Sequence, residues 1–301
     1  IQSQGRVSVK AGQDLNLSTV NVSRRDLSSG GDDNYILNGS SRDVGTQIQA
    51  NGNIYLQSGV NTQITAGMLN SESGNVVVYA GKDIQVQEGR ATHEYALRAH
   101  EERGNAVSKT RKDKLFEQNE NTSVSSVITG KNVVLSADQN IAVQGSQVVA
   151  DELAQLQAKG AVDITAATDT SSSTVFYSKE KSGFTASVSD GVASVGYGKS
   201  NTKQEDKSQT TSLTQSIAGS MNGNTNIVAG EDLNVKASIV ESGKDINLIG
   251  KNVYLEAGSV TEDTQSKYEH KSSGISIGVT YSGVAAAAAS AKKSKENSEF
   301  S

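Results

Sequence analysis

The sequence predicts an all-β fold: a parallel β-helix (solenoid) with about 20 residues per coil and with β-hairpin excursions between coils. Two observations predict this class. A glycine-centred phrase followed by an apolar-x-apolar run recurs about seven or about 20 residues apart along the chain. The 301 residues also include no proline and only 4% aromatic residues. Such a composition suits a thin core between paired strands, because each proline would remove a ladder hydrogen bond.

Each copy of the phrase predicts one corner followed by one short strand. The segment GKDINL at 243–248 is followed by GKNVYL at 250–255. Apolar residues at period two mark a strand with one buried face. Glycine beside Asp or Asn marks a turn, because these residues tolerate left-handed backbone. The predicted turn residues are Gly12, Asp14, Gly81, Asp83, Gly130, Asn132, Gly230, Asp232, Gly243, Asp245, Gly250 and Asn252.

Coils must stack, because one coil buries too little apolar surface to fold by itself. About six aliphatic side chains contribute roughly 1.5–3 kcal/mol each, whereas ordering about 20 residues costs on the order of 20–40 kcal/mol. Asparagines recur at the predicted corners and predict amide ladders from coil to coil. They are Asn53, Asn75, Asn132 and Asn252.

Solenoid stretches and excursions alternate within one repeat region, which we expect to be an internal fragment of a larger protein. The solenoid is predicted at about 1–20, 44–89, 124–168 and 222–262. The excursions are predicted at about 21–43, 90–123, 169–221 and 263–301. A longer period supports this alternation, since YSKEKSG at 177–183 resembles YEHKSSG at 268–274, which lies 91 residues later.

The third excursion contains a hairpin signal. Asp190-Gly191 is typical of a two-residue turn, and folding there places Val188 opposite Ala193. The second excursion is densely charged, and its sequence leaves a helix and an extended hairpin both open.

The last excursion predicts a similar hairpin. A turn at Ser282-Gly283 places Val279 opposite Ala286. The resulting apolar faces either pack against the solenoid or each other, or insert into a bilayer as membrane-spanning strands. The predicted membrane- or partner-contacting residues of the two hairpins are Phe184, Ala186, Val188, Val195, Tyr197, Ile275, Ile277, Val279, Tyr281 and Val284.

Charge and motif content argue against several function classes. The net charge of −5 provides no basic field, so we expect no nucleic-acid partner. The absence of cysteine excludes thiolate metal sites. Asp14, Asp83, Asp232 and Asp245 lie at the same turn position of the phrase, which explains them without catalysis. We therefore expect no enzyme, no catalytic residue, no metal and no cofactor.

The phrases AGQDLNL, AGKDIQV, AGEDLNV and SGKDINL, with Ser/Thr-rich hairpins between them, resemble the repeats of filamentous hemagglutinin-type exoproteins. The similarity is to the second repeat block of contact-dependent growth-inhibition proteins. The resemblance implies a very large protein exported by two-partner secretion, through an outer-membrane transporter, to the surface of a Gram-negative bacterium. With the usual crossover rule, it also implies a right-handed β-helix.

Two functions follow from the resemblance. The first is a module that contributes to contact-dependent toxin delivery at the target cell's outer membrane or a surface receptor. The alternative is a structural or adhesive filament spacer. Exposed strand edges at both ends also predict end-to-end self-association of the isolated chain.

Overall fold

The computed structural model describes residues 1–31, 33–189, 192–280 and 285–300. These residues form strands and no α-helix, so none of them lies in a helix long and apolar enough to cross a membrane. The strands build two structures, a stack of seven parallel coils and four antiparallel hairpins that leave the stack. The predicted parallel β-helix with hairpin excursions is thereby confirmed.

Coils and hairpins alternate along the chain. The first four coils and two hairpins are coil 1, β1 (Gln2–Ser3), β2 (Val7–Ala11) and β3 (Leu15–Leu17); hairpin 1, β4 (Thr19–Ser29) and β5 (Tyr35–Gly45); coil 2, β6 (Gln47–Ala50), β7 (Ile54–Ser58) and β8 (Thr62–Thr65); coil 3, β9 (Met68–Ser71), β10 (Val76–Ala80) and β11 (Ile84–Gln87); hairpin 2, β12 (Gly89–Gly104) and β13 (Ser108–Val124); coil 4, β14 (Val127–Ala137) and β15 (Ile141–Gln144). The others are coil 5, β16 (Gln147–Ala158) and β17 (Val162–Thr165); hairpin 3, β18 (Ala167–Ser189) and β19 (Val192–Thr214); coil 6, β20 (Ile217–Ser220), β21 (Asn224–Ala229) and β22 (Asp232–Lys236); coil 7, β23 (Ile239–Ser242), β24 (Ile246–Ile249) and β25 (Asn252–Glu256); hairpin 4, β26 (Glu262–Thr280) and β27 (Ala285–Phe300).

Each coil has three faces, and strands on the same face pair in parallel from coil to coil. In coils 4 and 5 a single strand, β14 or β16, supplies the first and second faces together. Val76 pairs with Ile54 in the preceding coil and with Val133 in the next, and all three side chains are fully buried. The apolar-x-apolar phrase therefore builds columns of inward side chains along the stack.

Close approach between coils explains the corner glycines. A Cβ added to Gly81 would lie 2.2 Å from the carbonyl oxygen of Gly59, and one added to Gly59 would lie 2.2 Å from that of Gly12. The reason predicted from the sequence, left-handed backbone, is wrong for these corners. Among the described residues, the positive φ angles fall elsewhere, at Gly31, Ala66, Gly145, Gly183 and Ala237.

Asparagines stack at the corner before the second face. The Asn75 backbone N–H donates to Asn53 Oδ1 at 2.8 Å, and Asn132 Nδ2 donates to Asn75 Oδ1 at 2.9 Å. The predicted side-chain amide ladder thus forms between Asn132 and Asn75, whereas the Asn53 side chain bonds to the backbone of the next coil. Asn252 belongs to another ladder, at the corner before the third face, where its Nδ2 donates to Asp232 Oδ1 at 2.7 Å.

The third-face corner also holds most of the predicted aspartates. Asp14 accepts a hydrogen bond from the backbone of Asn61 at 3.0 Å, and Asp83 accepts two from Asn140. Asp245 was predicted at the same position, but it precedes β24 on the second face. The two corners carry the same phrase, so the sequence alone does not separate them.

Buried serines line the corner from which the hairpins leave. Ser126 Oγ donates to the Gln87 carbonyl at 2.6 Å, and Ser216 Oγ donates to the Thr165 carbonyl at 2.7 Å. Ser146 lies between them in the column, and all three side chains are fully buried. The Gln87 and Thr165 carbonyls also accept backbone hydrogen bonds, from Ala66 and Gly145, so the buried hydroxyls supply a second donor to each and have their own hydrogen bonds satisfied.

The four hairpins pair with one another into a single eight-stranded antiparallel sheet in the order β4-β5-β12-β13-β18-β19-β26-β27. A hairpin leaves after every second coil. Two coils advance the solenoid by two strand spacings, and one hairpin advances the sheet by two strand spacings, each about 4.8 Å. The two structures therefore stay in step along the molecule.

One predicted boundary and one predicted register differ from the structure. Residues 217–220, placed by the sequence in the third excursion, form solenoid strand β20 between β16 and β23. Their small side chains hide the apolar alternation. In hairpin 4, Val279 pairs with Ala285 and not with Ala286. A run of alanines gives no pattern by which one register is preferred.

Candidate functional site

The longest hairpins extend beyond their neighbours and form what we call the projecting tip. It comprises 184–189 of β18, 192–197 of β19, 275–280 of β26 and 285–289 of β27. The preceding strand β13 begins at Ser108, which pairs with Gly183. The projecting tip therefore lies beyond hairpin 2 and contains strands of hairpins 3 and 4 alone.

Most of the predicted contact residues lie together on one face of the projecting tip. Phe184 pairs with Tyr197, which pairs in turn with Ile275, and the row above continues from Ala186 to Val195 and Ile277. In an antiparallel sheet, directly opposed residues project to the same side. Val188 and Val279 belong to the next row. Tyr281 and Val284, with both predicted turns at 190–191 and 282–283, lie outside the described residues.

This apolar face is open to solvent. The exposed fraction is 80% for Val188, 68% for Ile275, 61% for Phe184 and 54% for Ile277. Packing against the solenoid, one of the two predicted arrangements, would have buried these side chains. The chain thus presents large apolar groups in neighbouring positions, which is unusual for a protein surface without a partner.

The opposite face of the projecting tip carries small residues. Ser194 lies opposite Gly278, and Gly196 lies opposite Ser276. A Cβ added to Gly196 would lie 2.7 Å from the Ile275 carbonyl oxygen. The residues named on this side are therefore small, and the large exposed side chains of Phe184, Ile275 and Ile277 lie on the other face.

An aromatic pair marks the base of the apolar face. The rings of Phe184 and Tyr197 are directly opposed, with centroids 5.4 Å apart and an interplanar angle of 73°. This edge-to-face contact stabilises the first pairing of the projecting tip.

Hairpin 2 resolves the alternatives left open for the charged excursion. Its two strands pair throughout, and the charges are largely balanced across them. Glu102 contacts Lys109 at 2.6 Å and Arg111 at 3.0 Å, and these cations hold the pKa of Glu102 below its usual range. His100 Nδ1 lies 2.6 Å from Asp113. The segment is thus a charge-paired sheet surface and not a basic patch.

A polar network at the base of the hairpins was not predicted from the sequence. Asp169 of hairpin 3 accepts hydrogen bonds from Ser123 of hairpin 2 at 2.6 Å and from Thr214 at 2.6 Å. The Arg90 backbone donates to Asp43 of hairpin 1 at 2.8 Å. These contacts join segments far apart in sequence, so no local motif identifies them.

The described residues contain no group of three or more His, Cys, Asp or Glu side chains that could hold a metal ion. The predicted turn residues lie at coil corners, and the side chains of Asp14, Asp83 and Asn252 bond to the adjacent coil, as shown above. The projecting tip is accordingly the candidate functional surface.

Comparison with known proteins identifies relatives. The chain is 30% identical over 230 residues to the tRNA nuclease CdiA of Escherichia coli strain STEC_O31, covering 75% of this chain and 7% of that protein. It is 30% identical over 265 residues to the 16S rRNA endonuclease CdiA of Enterobacter cloacae, covering 86% and 8%. It is 36% identical over 163 residues to the deoxyribonuclease CdiA of Yersinia pseudotuberculosis, covering 53% and 15%.

The chain spans less than a tenth of the first two relatives. No solved structure matches it significantly. A family model described as the hemagglutinin repeat matches residues 27–110, 107–220 and 195–301. These overlapping matches cover most of the solenoid and its hairpins, as expected from the repeated phrases, and the chain belongs to the hemagglutinin repeat family.

Proposed function

We propose that this chain is a repeat module of a large exoprotein, secreted to or displayed at the surface of a Gram-negative bacterium, and that it contributes to contact-dependent toxin delivery. Its projecting tip contacts the outer membrane of the target cell. The observation that carries the proposal is the exposed apolar face formed by residues such as Phe184, Val188, Ile275 and Ile277.

The names of the relatives support the delivery role. Those names describe nucleases that act on tRNA, 16S rRNA or DNA, and this chain aligns with only 7–15% of each of those proteins. The matched segment is a repeat region, so we assign the module no enzymatic activity and no cofactor. We further propose that the chain lies within one longer repeat region. The whole protein would be exported from the producing cell through an outer-membrane transporter.

Membrane contact is tested by flotation of the purified chain with vesicles made from outer-membrane lipids. The test variant carries Val188→Asp and Ile277→Asp, which place charges on the apolar face. The control carries Val20→Asp and Val22→Asp, whose parent side chains on hairpin 1 are comparably exposed, at 69% and 59%. Circular dichroism must show that each variant retains the β signal.

We expect the unmodified chain and the control to float and the test variant to remain at the bottom, because an unpaired charge in hydrocarbon costs several kcal/mol. Equal flotation of the test variant and the control would contradict the tip's role. If the unmodified chain does not float, the spacer function is preferred.

The stacked architecture supports the spacer as the second candidate. Seven coils and one continuous hairpin sheet run side by side, which favours a stiff rod able to hold a distal domain away from a cell. A spacer does not require an apolar tip, and the flotation test separates the two functions for this reason.

A further inference from the structure

A group of lysines lies on both faces of the hairpin sheet directly beneath the projecting tip. We call it the lysine collar. It occupies three consecutive cross-strand rows, and rows alternate between the two faces of the sheet. Its members, all exposed, are Lys109, Lys181, Lys199, Lys271, Lys292 and Lys293.

Most of this positive charge is available to an external partner. Lys109 contacts Glu102 at 2.6 Å, and Lys271 contacts Glu269. Within the described part of the chain, no ion pair engages the remaining four members, Lys181, Lys199, Lys292 and Lys293. Glu180 is the acidic residue of hairpin 3 in these rows, and it accepts a hydrogen bond from Asn201 at 3.0 Å. Lys293 also attracts Glu269 at longer range, and Lys271 and Lys293 together hold the pKa of Glu269 below its usual range. The collar still carries more positive than negative charge.

At the boundary between the collar and the tip, three adjacent strands carry glycine in the same cross-strand row. Gly183 lies opposite Gly198, which lies opposite Gly274. This row opens a groove of about 450 Å³ whose lining includes Lys181, Ser200 and Ser272, which occupy one cross-strand row and therefore one face. An ammonium group and hydroxyl groups on one face are donors that phosphate oxygens can accept.

The spacing of the apolar rows sets the depth to which the tip can enter a bilayer. The rows from Phe184 to Val188 span four residues, or roughly 14 Å at about 3.4 Å per residue. One leaflet of hydrocarbon is about 15 Å thick, half of the roughly 30 Å core. The apolar part of these strands is therefore half as long as a membrane-spanning strand requires, and it matches one leaflet.

We propose that the lysine collar binds the headgroups of anionic phospholipids while the projecting tip occupies the hydrocarbon of a single leaflet. This inference rests on the proposed membrane contact and adds its ligand class and depth. Lys199 lies two residues from Tyr197 along β19, about 7 Å away. Its side chain extends to the headgroup level when the Tyr197 ring lies at the interface.

The test measures binding to vesicles of phosphatidylcholine alone and of phosphatidylcholine mixed with phosphatidylglycerol. The collar variant carries Lys181→Gln, Lys199→Gln, Lys292→Gln and Lys293→Gln, which keep polar side chains and remove the charges. The control removes four other exposed lysines at the solenoid, with Lys10→Gln, Lys82→Gln, Lys244→Gln and Lys251→Gln. Both variants therefore change the net charge equally.

We expect the unmodified chain and the control to prefer the phosphatidylglycerol vesicles. The collar variant should lose this preference, on the order of a thousandfold in affinity for four lysines at about 1 kcal/mol each, while its binding to phosphatidylcholine vesicles is unchanged. Added salt should reduce the preference of the unmodified chain.

Three results would overturn the proposal. Equal binding of the unmodified chain to both vesicles would remove the collar's role and leave the membrane contact in place. If the collar variant still preferred phosphatidylglycerol vesicles to the same degree, other residues of the chain would be responsible for the charge effect. Failure to bind either vesicle would overturn the membrane contact and the collar together.

Discussion

A corner glycine of this solenoid is required by the coil beneath it. The hydrogen of Gly81 faces the carbonyl oxygen of Gly59 across a space too small for a methyl group. Gly12 occupies the equivalent corner of the first coil, where an added Cβ meets no atom within 4 Å. The same residue type in the same phrase thus has a different structural importance according to its position in the stack.

This difference gives a prediction for single residues. Gly81→Ala should lower the free energy of unfolding by about 1–3 kcal/mol, because the coils must separate locally to admit the methyl group. Gly12→Ala should change it by less than about 0.5 kcal/mol. Urea denaturation followed by circular dichroism measures both, and equal losses would contradict the close-approach explanation.

At the scale of elements, hairpins 1 and 2 are joined at their base by a carboxylate. Asp43 accepts hydrogen bonds from the Asn21 side chain at 2.9 Å and from the Arg90 backbone at 2.8 Å, and both lower the pKa of Asp43. A carboxyl group whose pKa is lower in the folded chain stabilises the fold above its unfolded pKa. That contribution is lost as the pH falls through the folded pKa.

We therefore predict a pH-dependent effect of Asp43→Asn. At pH 7 the variant should be less stable than the unmodified chain by about 1 kcal/mol, since it lacks the charge on the acceptor. The difference should shrink as the pH falls below the ordinary aspartate pKa of about 4 and should vanish below the lower pKa of Asp43 in the folded chain, where the carboxyl group is neutral. Urea unfolding midpoints of both chains across this pH range provide the measurement. A stability difference that stays constant with pH would contradict the prediction.

The elements differ in how far the sequence specifies them. The coils follow from apolar alternation and from the corner phrase. Hairpin 3 pairs Val188 with Ala193, as the alternation around Asp190-Gly191 predicts. The register of hairpin 4 was not predictable because its alanines are interchangeable, and β20 was missed because Ala218 and Gly219 give a weak apolar signal.

The sequence of a hairpin does not predict which other hairpin will pair with it. Tyr197 and Ile275 are adjacent in the sheet, yet neither hairpin sequence identifies the strand beside it. The spacing of the coils decides this, and it exists only once the solenoid has formed. The exposed apolar face follows from the same cause, since neither hairpin folds back on the stack. The membrane role of that face stays a prediction.

At the scale of the whole molecule, coil 7 leaves its inward residues uncovered. Val253 pairs with Leu233 and Leu255 pairs with Val235, both at core positions. The exposed fraction of Val253 is 42% and that of Leu255 is 66%. This surface has the shape and chemistry of the next coil's partner, which a second copy of the chain can supply.

We predict concentration-dependent self-association of the isolated chain through this surface. Val253→Lys with Leu255→Lys should shift the equilibrium to monomer in sedimentation experiments, because the charges would be buried without partners. Val20→Lys with Val22→Lys, on hairpin 1, serves as the control. Association that persists in the coil 7 variant would place the contact on another surface, such as the free edge of β27.

The equal step of coils and hairpins restricts how such a protein can change its length. A duplication that added one coil would displace every later hairpin by one strand spacing relative to its neighbours, and the pairing between hairpins would be broken at that point. Two coils with one hairpin can be added or removed without this fault. The 91-residue separation of YSKEKSG and YEHKSSG joins equivalent points of hairpins 3 and 4, which lie one such unit apart.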